Sequence, residues 1–173
     1  MSYRWRKHSA WKGIVAGLAG GLAGAWTMNQ YQKGWSKASE KLSGNGNSRK
    51  HASDGPDATM VTADRLARPF IGRTLSRDEK KKAAPIVHYA FASVVGTAYG
   101  VAAEYRPIVR KFAGVPFGAA LFVGADEVAL PALNLSKGPK EYPVSTHLYG
   151  LTSHLVYGAT IEAVRRGVRA LLR

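Results

Sequence analysis

Seven ionisable side chains stand inside otherwise apolar stretches of this chain: His88, Glu104, Asp126, Glu127, His147, His154 and Glu162. Imidazole paired with carboxylate suits two kinds of chemistry. A neutral imidazole and a carboxylate hand a proton back and forth near neutral pH, and the same donors bind zinc or iron. Two histidines on facing helices are also the usual axial pair for a haem. The spacing fixes none of these. There is no H-E-x-x-H, no paired E-x-x-H and no haem-attachment motif, nor a phosphate loop, a dinucleotide fingerprint or a nucleophile elbow. With no cysteine, disulfides, thiolate metal sites and thiol nucleophiles are excluded. The residues therefore point to a protein that is not an enzyme. Three readings remain open for the polar cluster: structural contacts that satisfy one another, a proton relay or metal site, or a haem between His88 and His154. No cofactor is expected under the first, and the metal ligands, if any, are unknown.

The elements that must position these groups are helices. Apolar segments of about 20 residues, the length that crosses ~30 Å of hydrocarbon, cover residues 13–31, 83–105, 112–133 and 144–164. Aromatic residues stand at several ends (Trp11, Trp26, Tyr31, Trp35, Tyr105, Phe112, Tyr142, Tyr149), and basic residues flank them, as interfacial belts do. The expected fold is all-α: a polytopic membrane protein of four transmembrane helices packed as a small bundle. The mean hydropathy of −0.17 averages these segments with a polar loop. The net charge of +14, from 25 Lys+Arg against 11 Asp+Glu, lies almost wholly outside them, so nucleic acid is not the expected partner. The first segment also has signal-peptide features, namely Arg4, Arg6 and Lys7 before an apolar middle and Ala23-Gly24-Ala25 after it. Its length favours a retained span.

Lipid supplies no hydrophobic drive between helices, so close packing through small residues matters. Gly13, Gly17, Gly20 and Gly24 recur at helical spacing on the first span, Gly96 with Gly100 on the second, and Gly114 with Gly118 on the third. These are the expected packing surfaces. Pro107, Pro131 and Pro143 mark helix ends or kinks.

Three regions follow: a basic tail and first span (1–31), a basic loop (32–82) and a three-helix region with a basic C-terminal tail (83–173). Within the loop, 43–48 reads as a flexible linker. Residues 60–75 place Met60, Ala63, Ala67, Phe70 and Ile71 at near-helical spacing with arginines elsewhere. That is a basic amphipathic helix for a membrane surface with anionic headgroups. Ser76-Arg77-Asp78-Glu79 is a capping box that starts the second span's helix early.

Any four-span topology puts the start of span two, the end of span three and the start of span four on one side. His88, Asp126, Glu127, His147 and His154 are therefore expected to converge in that half. Glu104 and Glu162 collect at the other end with Arg106, Arg165 and Arg166 as interfacial acid–base pairs. The basic residues of the short segments place both termini in the cytoplasm.

His88, the run Tyr99-Gly100-Val101-Ala102-Ala103-Glu104-Tyr105-Arg106-Pro107, Gly118, Pro131, His154 and Ile161-Glu162-Ala163-Val164-Arg165-Arg166 together resemble the YagU-like family of bacterial inner-membrane proteins, over roughly residues 84–172. The resemblance implies a bacterial inner-membrane location and draws attention to His88, Glu104, His154 and Glu162. It supplies no activity. The leading expectation is a small accessory or structural subunit that docks with other membrane-protein subunits. The alternative is a small transporter, proton-relay or metal- or haem-binding protein that uses the His/carboxylate cluster.

Overall fold

The computed structural model describes residues 9–43 and 57–172, and among these every regular element is helical. The linker expected at 43–48 falls outside the described residues beyond Ser43, as do Arg4, Arg6, Lys7 and Arg173. Helix α1 spans Ala10–Ser43, α2 Ala58–Ile71 and α3 Arg77–Tyr105. A 3-10 stretch, Pro107–Gly114, reverses the chain into α4 (Val115–Leu121), which continues through a π-helical segment (Phe122–Ala129) into the short α5 (Leu130–Ala132). A 3-10 turn at Pro139–Glu141 precedes α6, Val144–Leu171.

Local chemistry sets these boundaries. Asp57 caps α2, its carboxylate accepting from the Thr59 N–H at 2.9 Å. Gly72 closes α2 in the left-handed region at φ 71°, where a residue without Cβ is unstrained. The expected capping box starts α3: the Glu79 N–H donates to Ser76 Oγ at 3.3 Å and the Ser76 N–H to Glu79 Oε2 at 2.7 Å. Pro107 follows the last turn of α3 and Pro143 precedes the first turn of α6.

Three expected boundaries move. The first helix runs on past Tyr31 to Ser43, so part of the expected loop is helical. The amphipathic helix ends at Ile71 rather than at 75. The third segment is not helical at Phe112: Phe112 and Ala113 adopt φ 52° and 54°, and α4 begins only at Val115, after Gly114. Apolarity alone cannot distinguish a tight reversal from the first turn of a span.

Side chains interlock α1 with both α3 and α6, each antiparallel to it. The glycine stripe of α1 serves two neighbours. Gly13 and Gly17 meet Gly100 and Gly96 of α3, where a Cβ at Gly17 would collide with the Gly96 carbonyl oxygen. Gly20 and Gly24 face Ile161 and Tyr157 of α6. On the far side of α6, Gly114 meets Gly158, and a Cβ at Gly118 would strike the His154 carbonyl. The core is correspondingly small-sided: Ala25, Ala92 and Ala103, with Met28, Tyr99, Tyr157 and Ile161 filling between them. The Tyr157 hydroxyl donates to the Ala92 carbonyl at 3.1 Å, and the Thr27 hydroxyl to that of Thr160 at 3.0 Å.

Helix α2 packs along the beginning of α3. Buried Asp64 holds it, accepting from the Leu75 N–H at 2.7 Å and pairing with Arg68 at 3.0 Å and Lys80 at 3.4 Å. The Leu75 N–H, followed by the Arg68 guanidinium and the Lys80 ammonium, holds the Asp64 carboxyl below its ordinary range. Arg65 reaches across to the carbonyls of Leu133 and Asn134 at 2.6 and 2.9 Å. Leu66, Phe70 and Ile71 are left on the outer face, with Phe70 90 % exposed.

Two stretches, Arg77–Tyr105 and Pro107–Ala132, are long and apolar enough to cross a membrane, by length and composition alone. Of the four expected spans, these two meet that measure. Helices α1 and α6 are longer than a span needs, but glycine, serine, threonine and histidine dilute their apolar character.

Candidate functional site: two polar clusters at opposite ends

The antiparallel arrangement gathers the start of α1, the end of α3, the start of α4 and the end of α6 at one end of the bundle. There, two carboxylates meet three guanidinium groups. Glu104 forms a two-pronged pair with Arg169, Nε to Oε1 at 2.6 Å and Nη2 to Oε2 at 2.8 Å. Arg165 does the same with Glu162 at 2.7 and 3.0 Å and approaches Glu104 at 3.8 Å. Arg166 adds a bond to Glu162 Oε1 at 2.6 Å, and the Tyr99 hydroxyl donates to Glu162 Oε2 at 2.9 Å. Glu162 is 1 % exposed and Arg165 3 %. Lys12 of α1 donates to the Leu172 carbonyl at the same end, so all the long helices are tied together here.

This network departs from the expected pairs. Arg106 lies exposed past the end of α3, and Arg169 takes its expected place beside Glu104. Sequence reasoning passed over Arg169, although it sits four residues after Arg165 and so on the same face of α6. Tyr99 carries no charge that marks it in the sequence, yet its hydroxyl completes the shell of Glu162. Fully satisfied, a guanidinium–carboxylate network of this kind fixes one helix register. Arginine keeps its charge throughout the accessible pH range, so both carboxylates face fixed positive charge.

The other end holds the histidines. His147, in the first turn of α6, places Nδ1 2.7 Å from Oε1 of Glu127 on the π-helical segment and Nε2 3.0 Å from the Pro139 carbonyl. His154, two turns further along α6, donates Nδ1–H to the Gly150 carbonyl at 2.9 Å and lies 3.8 Å from Oδ2 of Asp126. Its ring rests on Phe122, with centroids 5.6 Å apart. The adjacent acids Asp126 and Glu127 thus serve different histidines. His88 of α3 does not join either pair: its Nε2 is buried without a hydrogen-bond partner among the described residues. The expected convergence of five residues resolves into two separate contacts, with His88 apart from both and edge-on to Tyr89. Among the described residues, no group of three or more His, Asp or Glu side chains is placed to hold a metal ion. The donor set that a zinc or iron site at His88 and His154 requires is therefore not assembled.

Fold and clusters together define a class: an all-α bundle, closely packed through glycine, with polar clusters at both ends and two stretches long and apolar enough to cross a membrane. Residues 71–163, more than half of the 173-residue chain, match the family described as "Protein of unknown function (DUF1440)", and the chain belongs to that family. Comparison with curated proteins and with solved structures finds no match.

Proposed function

We propose that the protein is a small, non-catalytic integral membrane protein in which α1, α3, the α4–α5 stretch and α6 each cross the bilayer, and that it serves as an accessory subunit of a larger membrane assembly. One observation carries this reading: the bundle is small inside and large outside. Glycine and alanine line the helix contacts. Ile14, Leu18 and Leu22 of α1, Ile86, Phe91 and Val94 of α3, Val123 and Val128 of the π-helical segment, and Leu148 of α6 are all exposed. In water this pattern exposes apolar area that soluble proteins bury; in lipid it is the favourable arrangement.

Two further features support it. Exposed Trp11 and Trp26 are separated by fifteen residues of α1, about 22 Å at ~1.5 Å per residue, a spacing that suits two interfacial belts. Helix α2 offers Leu66 and Phe70 outward beside the basic residues of the loop, which suits an anionic membrane surface. Arg106, Arg110, Lys111 and Arg166 gather at the arginine end, and the positive-inside bias favours a cytoplasmic side for that end and both termini. The YagU-like resemblance adds the bacterial inner membrane. The same apolar flank serves lipid or neighbouring subunits.

The absence of native cysteine makes the topology directly testable. Single cysteines placed at Lys111, at Ser136 and just after α2 at Thr74 are probed with an impermeant thiol reagent in intact cells. The reading expects Ser136 and Thr74 to label together and Lys111 to be protected. Labelling of Lys111 together with Ser136, or recovery of folded protein in the aqueous fraction without detergent, overturns the four-span arrangement. Gentle solubilisation that yields the chain alone overturns the subunit role.

A further inference from the structure

We propose that Glu127 and His147 form a binding site for a single proton, and that the bound proton fastens the 135–143 connection to both the π-helical segment and α6. The inference rests on hydrogen-bond counting at the histidine end and is independent of the bilayer reading. Both ring nitrogens of His147 face oxygen acceptors: Glu127 Oε1 at 2.7 Å from Nδ1 and the Pro139 carbonyl at 3.0 Å from Nε2. A carbonyl oxygen only accepts. A neutral imidazole has one N–H and one lone pair, and an ionised carboxylate has no hydrogen to give. A neutral ring beside an ionised Glu127 therefore leaves one of the two contacts as acceptor against acceptor. Both contacts form together only when the pair holds one more proton, as imidazolium with carboxylate or as neutral ring with carboxylic acid. The two descriptions contain the same number of atoms and differ only in where the hydrogen rests. The proton comes from water and returns to it, and nothing else is exchanged.

The surroundings leave this proton to the pair. From the 139–142 turn, the Tyr142 ring stands edge-on to His147 at 6.5 Å, and its hydroxyl accepts from the Lys137 N–H at 3.2 Å. Lys140 and Glu141 are the charged residues of that turn, and Glu141 is drawn back to the Gly138 N–H at 2.9 Å. On the π-helical segment, Asp126 turns to His154 rather than His147. On α6 the nearest other imidazole is His154, two turns away, and the Tyr149 ring between them packs against Trp35 of α1. From α2, Arg65 reaches the Leu133 and Asn134 carbonyls. The side chains of His147 and Glu127 are 30 % and 22 % exposed, so water reaches the site. The bound proton joins three elements that are separate in sequence: a π-helical stretch, a motif common at functional positions, the 3-10 turn, and the first turn of α6. When the proton leaves, either the turn or the π-helical segment is released.

The test uses the full chain purified with its lipids or in detergent, and compares wild type with Glu127→Gln. Nitrogen-15 NMR of the histidine rings and amide hydrogen exchange over residues 137–147 are followed from about pH 5 to about pH 9, the interval in which imidazole changes charge. In wild type, the His147 ring carries hydrogen on both nitrogens, or shares Nδ1 with a protonated Glu127, while the connection is protected. Loss of that proton and a rise of about tenfold in exchange across the turn occur at the same pH, as expected when a charge-assisted bond is lost. In Glu127→Gln the carboxamide N–H donates to Nδ1 of a neutral ring while Nε2–H still donates to Pro139. Protection is then kept without the extra proton and no longer depends on pH. A neutral His147 beside an ionised Glu127 with the turn fully protected, or the same pH response in both proteins, overturns the proposal. If the variant fails to fold, the ring protonation of the wild type decides the matter alone.

Discussion

At each end of the bundle two carboxylates meet basic side chains, and the two ends use them differently. At the arginine end, Glu104 and Glu162 are buried, each faces more than one guanidinium, and two of the pairs are two-pronged. At the histidine end, Asp126 and Glu127 are half-exposed, each meets a single imidazole, and His88 is bonded to neither. Guanidinium is always charged and matches a carboxylate through two parallel bonds. Imidazole meets a carboxylate through a single nitrogen, and its charge depends on pH. The first end keeps its positive partners charged across the accessible pH range. The second has contacts that depend on a proton, and it lies where the helix is wound loosely as π. Permanence and response are separated along the length of one small bundle.

Removing the centre of the arginine end has the largest effect. Glu162→Ala strands Arg165, Arg166 and the Tyr99 hydroxyl, and loss of one partner from a buried ion network costs about 3–5 kcal/mol; thermal or denaturant unfolding in detergent measures it. Finding less than about 1 kcal/mol would mean that water screens this end as thoroughly as the other, and the contrast between the two would fall.

Next comes a matched pair of variants. Arg169→Lys exchanges a forked contact for a point charge beside Glu104 and is expected to lose about 1 kcal/mol. Arg106→Ala, at an exposed site without a share in the network, stays within about 0.5 kcal/mol of wild type. The reverse order in a melting experiment would restore the pairing expected from sequence proximity.

At the histidine end, Asp126→Asn removes a half-exposed contact at 3.8 Å and is expected to change stability by less than about 1 kcal/mol. Comparing its melting curve with that of Glu162→Ala measures the asymmetry directly.

The smallest expected effect is a pH response confined to α2. The folded-state pKa of Asp64 is lowered, first by the Leu75 N–H and then by Arg68 and Lys80. The ionised form is therefore favoured in the folded protein. Its contribution is fully present above the ordinary carboxylate range and is lost as pH falls through the lowered folded value. Proteolysis of the 57–76 region is expected to quicken only in acid, with the arginine-end contacts intact, and Asp64→Asn is expected to abolish that dependence.

Much of this arrangement was legible in the residues because it depends on near neighbours in the chain. Ser76 and Glu79 specify a capping box wherever the helix later packs. Pro107 and Pro143 bound helices through their own backbone geometry, whereas the stop at Gly72 ends α2 short of the expected residue 75. The periodic glycines announce close contact and were found in it. The reversal at Phe112 was hidden because its left-handed residues, Phe112 and Ala113, are types that rarely adopt that conformation.

What the sequence determined by itself was a set of helices, their small-residue faces and the two groups of ionisable side chains. Tertiary structure decided which acid meets which base: Glu104 with Arg169 rather than Arg106, and Glu127 with His147 while Asp126 turns to His154. It also decided how one glycine stripe on α1 is shared between α3 and α6. The reason is geometric. Spacing along a helix fixes which side chains share a face, but the rotation and offset of one helix against another arise only when all the faces are packed together.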